Sequence, residues 1–80
     1  VWRAVQASGL MAEAEAVCAR LARLPARALA EIKRVMAEGE GNSLDRQLDL
    51  EAGVQAALGR SADYAEGVAA FAAKRAARFE

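Results

Sequence analysis

The chain has 80 residues, a formal net charge of zero and a hydrophobic fraction of 55%, but only 5% aromatic residues. This length allows one domain at most, and because alanine supplies much of the hydrophobic fraction, we expect a marginal core unless a partner extends it. The balanced charge argues against nucleic-acid binding, which usually needs a basic surface. No apolar run approaches the ~20 residues that span a bilayer, which argues against a membrane protein.

The residue inventory offers little for catalysis or metal binding. There is no histidine and one cysteine, Cys18, so the commonest general base and metal ligand are missing and no intramolecular disulfide can form. We expect no metal site and, in the absence of a recognisable secretory signal, a cytoplasmic location.

The sequence begins with VWRAV, a β-branched and aromatic run that predicts a short strand in residues 1–6. We find no second strand for it to pair with. We therefore expect the chain to be a segment of a larger protein whose partner strands precede Val1.

Apolar periodicity predicts two helices in the first half of the chain. The first runs from about Ser8, a candidate N-cap, to Leu24, and its stripe places Cys18 as a buried small hydrophobe. Pro25 opens the second helix, which covers about Ala26 to Glu38, and the glycines of residues 38–42 end it. The two apolar faces contain Leu10, Ala14, Val17, Cys18, Leu21 and Leu24, then Leu29, Ile32, Val35 and Met36.

The second half predicts two more helices. Ser43 caps the third, from about Leu44 to Leu58, whose broad apolar face indicates contact on two sides, and Gly59 stops it. Ser61 or Asp63 caps the fourth, where Asp63 and Glu66 resemble a capping box. Its predicted inward face is Tyr64, Gly67, Val68 and Phe71, and a close approach by another element would explain a glycine within this helix.

Few residues are candidates for chemistry. Asp45 and Asp49 are four apart and share a face, so they are either a carboxylate pair or a solvated acidic edge, while Glu51 points to a different side. A serine nucleophile is implausible because the chain has no histidine to activate it, and the glycines of residues 39–41 lack the motif of a phosphate-binding loop. Phe71 and Lys74 lie one helical turn apart and allow two interpretations. Phe71 is an ordinary core residue and Lys74 an ordinary surface residue, or the Phe71 ring and the Lys74 cation together bind a phosphorylated ligand.

The order of elements and the closing pattern SADYAEGVAAFAAKR resemble the C-terminal segment of the crotonase (enoyl-CoA hydratase/isomerase) superfamily. The resemblance covers essentially all 80 residues, and NSLDRQLDLE followed by GRSADYAEGVAAF is most similar to the phenylacetate-pathway isomerases that act on ring-1,2-epoxyphenylacetyl-CoA. Relatives commonly have proline where Ala77 stands and often continue past Phe79 to a glycine.

The resemblance implies a mainly α segment of a crotonase-like fold, with residues 1–6 as the last strand of a core domain and residues 1–80 closing the coenzyme A site and joining subunits. It implies an acyl-CoA thioester substrate, no permanently bound cofactor, and a homotrimer or hexamer. Phe71 would border the adenine and Lys74 would meet a phosphate. The family stabilises a thioester enolate with residues upstream, so we expect no catalytic residue here and no activity from the segment alone.

Three alternative functions stay open: a fatty-acid β-oxidation hydratase, a free-standing helical interaction module, and a self-contained catalyst built on Asp45 and Asp49.

Overall fold

A computed structural model describes residues 1–79, and these are mainly α-helical, as predicted. A short 3-10 helix, Ala7–Gly9, leads into four α-helices: α1 (Leu10–Leu21), α2 (Ala26–Gly39), α3 (Leu44–Leu58) and α4 (Ala62–Ala73). Residues 1–6 have no regular secondary structure, so the strand predicted there is not present. A strand needs a neighbour to satisfy its backbone N–H and C=O groups, and no part of the described chain supplies one.

Serine side chains begin α3 and α4. The Oγ of Ser43 accepts a hydrogen bond from the backbone N–H of Arg46 at 3.3 Å, which confirms the predicted cap of α3. The Oγ of Ser61 accepts from the N–H of Tyr64 at 3.1 Å, which selects Ser61 over Asp63 as the cap of α4. Each bond satisfies one of the backbone donors that a helix start leaves without a partner.

Both predicted ends of the first helix differ from the structure, and the predicted end of the third helix is correct for a different reason. Ser8 does not cap α1, because residues 7–9 form the 3-10 helix and Gly9, without a side-chain bond, precedes α1. The first helix ends at Leu21, and a turn in which the N–H of Leu24 bonds to the carbonyl of Leu21 at 3.0 Å leads to Pro25. Gly59 does follow α3, but with a right-handed φ of −63°, so its conformational freedom is not what ends the helix.

An amide network joins α2 to α3. The Nε2 of Gln47 donates to the carbonyl of Val35 at 3.4 Å and to Oε1 of Glu51 at 3.0 Å, and its Oε1 accepts from Nδ2 of Asn42 at 3.0 Å. A Cβ added at Gly39 would lie 3.2 Å from this Oε1, so the glycine leaves room for the amide. The network fixes α3 against the last turn of α2, and it uses the residues that the loop prediction had left without a role.

The four helices form an open arrangement instead of a closed bundle. The accessible surface is 6684 Å², about 2,000 Å² more than the ~4,600 Å² typical of a compact chain of this mass. The radius of gyration is 16.2 Å, against about 12 Å for a compact domain of this length. Among the described residues only Ala70 is buried, so the predicted apolar faces are at most partly covered.

Two predictions about the core are therefore wrong for this chain. Cys18 is exposed, because no element covers the stripe of α1. The face of α4 that was predicted to point inward is open: Tyr64 is 58% exposed and Phe71 is 87% exposed, with Ala70 buried in their place. Helical periodicity identifies which residues share a face, but it does not say whether the covering element is in the same chain.

A pair of glycine substitutions tests the amide network. Gly53→Ala should stabilise the chain by about 0.5–1 kcal/mol, since alanine favours a helix interior and no atom lies within 4 Å of the added Cβ. Gly39→Ala should be less stable than Gly53→Ala by about 1 kcal/mol, because it displaces the Gln47 amide from its hydrogen bonds. Urea unfolding followed by circular dichroism at matched concentrations measures both, and equal stabilisation by the two variants would contradict the network.

Candidate functional site

The end of α4 places Phe71 and Lys74 in solvent. The Phe71 ring is 87% exposed, and Lys74 is exposed and makes no ion pair with any residue in 1–79. Of the positive residues at this end, Arg75 is paired with a carboxylate, whereas Lys74 has no such pair within residues 1–79. The site therefore offers a flat apolar ring and an ammonium group within one segment.

Lys74 closes α4 in a left-handed conformation, with φ 53° and ψ 43°. It is the one non-glycine residue with positive φ in the part of the chain that the structure describes. The N–H of Lys74 bonds to the carbonyl of Phe71 at 3.2 Å, and the N–H of Arg75 bonds to the carbonyl of Ala70 at 3.0 Å. These two bonds form a Schellman motif, whose left-handed position is usually glycine because a Cβ there costs about 1 kcal/mol.

The residues after Lys74 turn back along α4 and bind Glu66. Arg75 donates from Nη1 to Oε1 of Glu66 at 2.6 Å and from Nη2 to Oε2 at 3.1 Å. The backbone N–H of Arg78 donates to the same Oε1 at 2.9 Å. These bonds, first from Arg75 and then from Arg78, lower the pKa of Glu66 from its usual 4.5 to about 2, and the carboxylate in turn raises the pKa of Arg75.

The bonding of Glu66 corrects the predicted capping box. The Glu66 carboxylate accepts hydrogen bonds from the tail residues Arg75 and Arg78 instead of from a backbone N–H at the start of α4. Helical periodicity could not predict this pairing, because the two partners are nine positions apart and the chain leaves the helix between them. The surplus of arginines in the tail is the one signal that the sequence contains.

Phe79 lies in a cleft between the start of α2 and α4. The cleft has a volume of about 410 Å³, and Pro25, Ala28, Tyr64 and Gly67 are among its lining residues. A Cβ added at Gly67 would lie 3.8 Å from Cε1 of Phe79, an ordinary contact distance. The element that approaches Gly67 is thus the chain's own tail, and it comes no closer than an alanine would allow.

The acidic residues do not form a catalytic arrangement. Asp45 and Asp49 are both exposed on α3, and Glu51 accepts a hydrogen bond from Gln47 within the same helix at 3.0 Å. Within residues 1–79 no group of three acidic or cysteine side chains is placed to hold a metal ion. In the same range, none of the helices has the length and apolar character that crossing a membrane requires.

A mainly α segment is the class of structure that the resemblance of the closing pattern implied. The sequence model of the family described as "Enoyl-CoA hydratase/isomerase" matches residues 1–80. The chain belongs to this family.

Two curated relatives match along nearly the whole chain. One, the "1,2-epoxyphenylacetyl-CoA isomerase" of Escherichia coli, is 44% identical over 79 residues, which are 99% of this chain and 30% of that protein. The other, a "Probable enoyl-CoA hydratase" of Rhodobacter capsulatus, is 43% identical over 79 residues, 99% of this chain and 31% of that protein. The chain therefore spans about a third of the length of these relatives.

Proposed function

We propose that the chain is the C-terminal part of an acyl-CoA isomerase that acts on 2-(1,2-epoxy-1,2-dihydrophenyl)acetyl-CoA and stabilises a thioester enolate. The observation that carries the proposal is the 44% identity to the Escherichia coli isomerase over 99% of the chain. The alternative is an enoyl-CoA hydratase of fatty-acid β-oxidation, favoured by the Rhodobacter capsulatus relative at 43% identity.

Within this function the segment binds coenzyme A. An exposed aromatic ring covers an adenine well, and an ammonium group bonds strongly to phosphate oxygens. Phe71 offers such a ring, 87% exposed, and Lys74, beyond it in the chain, offers the cation. The substrate is thus held at its nucleotide end by this segment.

The segment's second role is to join subunits. The exposed apolar faces of its helices include Ile32, Met36, Leu44 and Leu48, each more than half exposed. Surfaces of this kind usually mark interaction sites. We infer that they pack on the rest of a cytoplasmic homo-oligomer, a trimer or hexamer.

The reacting centre lies outside these residues in the proposed function. Enolate stabilisation needs two convergent N–H donors and a carboxylate that moves a proton. Asp45 and Asp49 are exposed on α3. The residues described here therefore bind and position the substrate, and the segment alone is inactive.

The full-length protein that contains this chain tests the proposal. Steady-state kinetics with the epoxyphenylacetyl-CoA and with crotonyl-CoA should give a higher kcat/KM for the epoxide. Higher kcat/KM for crotonyl-CoA would favour the hydratase alternative. Turnover of neither thioester by the folded protein would contradict both, and would favour the free-standing helical interaction module.

A further inference from the structure

The lysine at the end of α4 occupies a position that backbone energetics would give to glycine. Its φ of 53° lies in the left-handed region, which non-glycine residues keep only where surrounding contacts fix it. Stability alone would favour glycine at position 74. The lysine side chain therefore has a role other than closing the helix, and this role offsets the steric cost of the left-handed backbone.

The contacts that fix this turn come from one carboxylate. Glu66 accepts both arms of the Arg75 guanidinium, at 2.6 Å and 3.1 Å, and the N–H of Arg78 at 2.9 Å. Arg75 directly follows Lys74, and this two-armed bond between its guanidinium and Glu66, here called the fork, holds the turn on the C-terminal side of Lys74. The backbone N–H of Arg75 bonds to the carbonyl of Ala70 at the same time. Bidentate pairs of this kind constrain orientation as well as distance.

A second arginine fork in the chain shows what is particular about this one. Arg34 bonds to Glu31 at 2.9 Å and to Glu38 at 2.7 Å. All three residues belong to α2, where the helix itself already fixes the backbone. The fork of Glu66 instead spans nine positions and encloses the left-handed residue.

We propose that Glu66 is a positioning residue for Lys74: by holding Arg75 and the N–H of Arg78, it fixes the left-handed turn and so directs the Lys74 ammonium toward a phosphate of the bound ligand. Glu66 also occupies the Arg75 guanidinium with both of its oxygens, so this cation is not offered to the ligand. The inference rests on the proposed function, in which this lysine binds coenzyme A.

The sign of one substitution separates positioning from plain electrostatics. Removing a negative charge close to an anion site should by itself strengthen anion binding, and it would also free Arg75. Loss of positioning has the opposite effect. The carboxylate stays ionised throughout the measurement, since its pKa of about 2 lies far below neutral pH.

Isothermal titration of the full-length protein with coenzyme A and with pantetheine, which lacks the nucleotide, provides the test. Glu66→Gln should weaken coenzyme A binding by about two- to tenfold, the lower part of the range of coupling between neighbouring residues, and leave pantetheine binding unchanged. Glu38→Gln is the matched control, because it removes an arginine-paired carboxylate of the same kind and should change neither affinity. In a Lys74→Gly background, where there is no ammonium group left to position, Glu66→Gln should not weaken coenzyme A binding further.

The outcomes separate the inference from the proposed function. If Lys74→Gly weakens coenzyme A binding and Glu66→Gln leaves it unchanged or tighter, the positioning role is wrong and the binding role of Lys74 stands. If Lys74→Gly changes nothing, the binding role fails and the inference fails with it. Arg75→Lys keeps the charge but loses the two-armed bond, so it should weaken binding in the same direction and replaces Glu66→Gln should that variant not fold.

Discussion

Replacing Lys74 by alanine in the full-length protein should weaken coenzyme A binding by about 1–3 kcal/mol, the range for a lost hydrogen bond to a charged group. This is about a 5- to 150-fold increase in Kd. The expectation follows from the exposure of the side chain and from its freedom from ion pairs within residues 1–79. Titration of the variant with coenzyme A measures it directly.

Two further variants make the result specific. Lys33, the other lysine of the chain, is exposed on α2, and Lys33→Ala should leave the affinity unchanged. Lys74→Gly removes the same ammonium group while suiting the left-handed backbone, so it should weaken binding as much as alanine and not lower the melting temperature. Unchanged coenzyme A affinity in both Lys74 variants would mean that Lys74 is an ordinary surface residue with no role in coenzyme A binding.

Local signals in the sequence predicted the helices well. Ser43 and the loop glycines before it predicted the observed start of α3 at Leu44, because a cap is a property of a few consecutive residues. The same holds for Ser61 at α4. The start of α1 was less predictable, since residues 7–9 adopt a 3-10 turn whose energy differs little from that of an α-helical turn.

Burial could not be predicted in this way. Cys18 and Tyr64 lie on apolar faces, yet both are exposed, because burial depends on what packs against a face. The strand expected in residues 1–6 did not form for the same reason. In each case the sequence identifies a surface that is suited to a partner, and the described residues do not contain the partner.

The candidate site was predictable in part. Phe71 and Lys74 were singled out by their spacing and, through the resemblance of the closing pattern to the family, as ligand-binding residues, and that role stays a prediction. The left-handed turn at Lys74 and the Glu66–Arg75 fork do not follow from the sequence, because they depend on how the tail folds back after the helix has ended. The sequence alone does not show that Lys74 occupies the left-handed position at a helix end where glycine is usual.

The purified 80-residue polypeptide should self-associate instead of forming a compact monomer. Its surface of 6684 Å² exceeds that of a compact chain by about 2,000 Å², whereas a standard protein interface covers about 800 Å² on each partner. The excess is more than one such interface requires, and it supports the proposal that the segment packs on more than one partner surface. With those surfaces uncovered, the apolar side chains have only other copies to pack against.

Sedimentation velocity over a range of concentrations measures this self-association, and substitutions on the open faces show its cause. Met36 and Leu44 are 70% and 73% exposed, so Met36→Ser and Leu44→Ser together should shift the chain toward monomer with little loss of helix. Ala19→Ser, an exposed but small position on α1, is the control and should not shift it. A single monomeric boundary at all concentrations, with cooperative unfolding, would mean that the segment is a self-sufficient domain, and the joining role would then have to be abandoned because the apolar faces would need no cover.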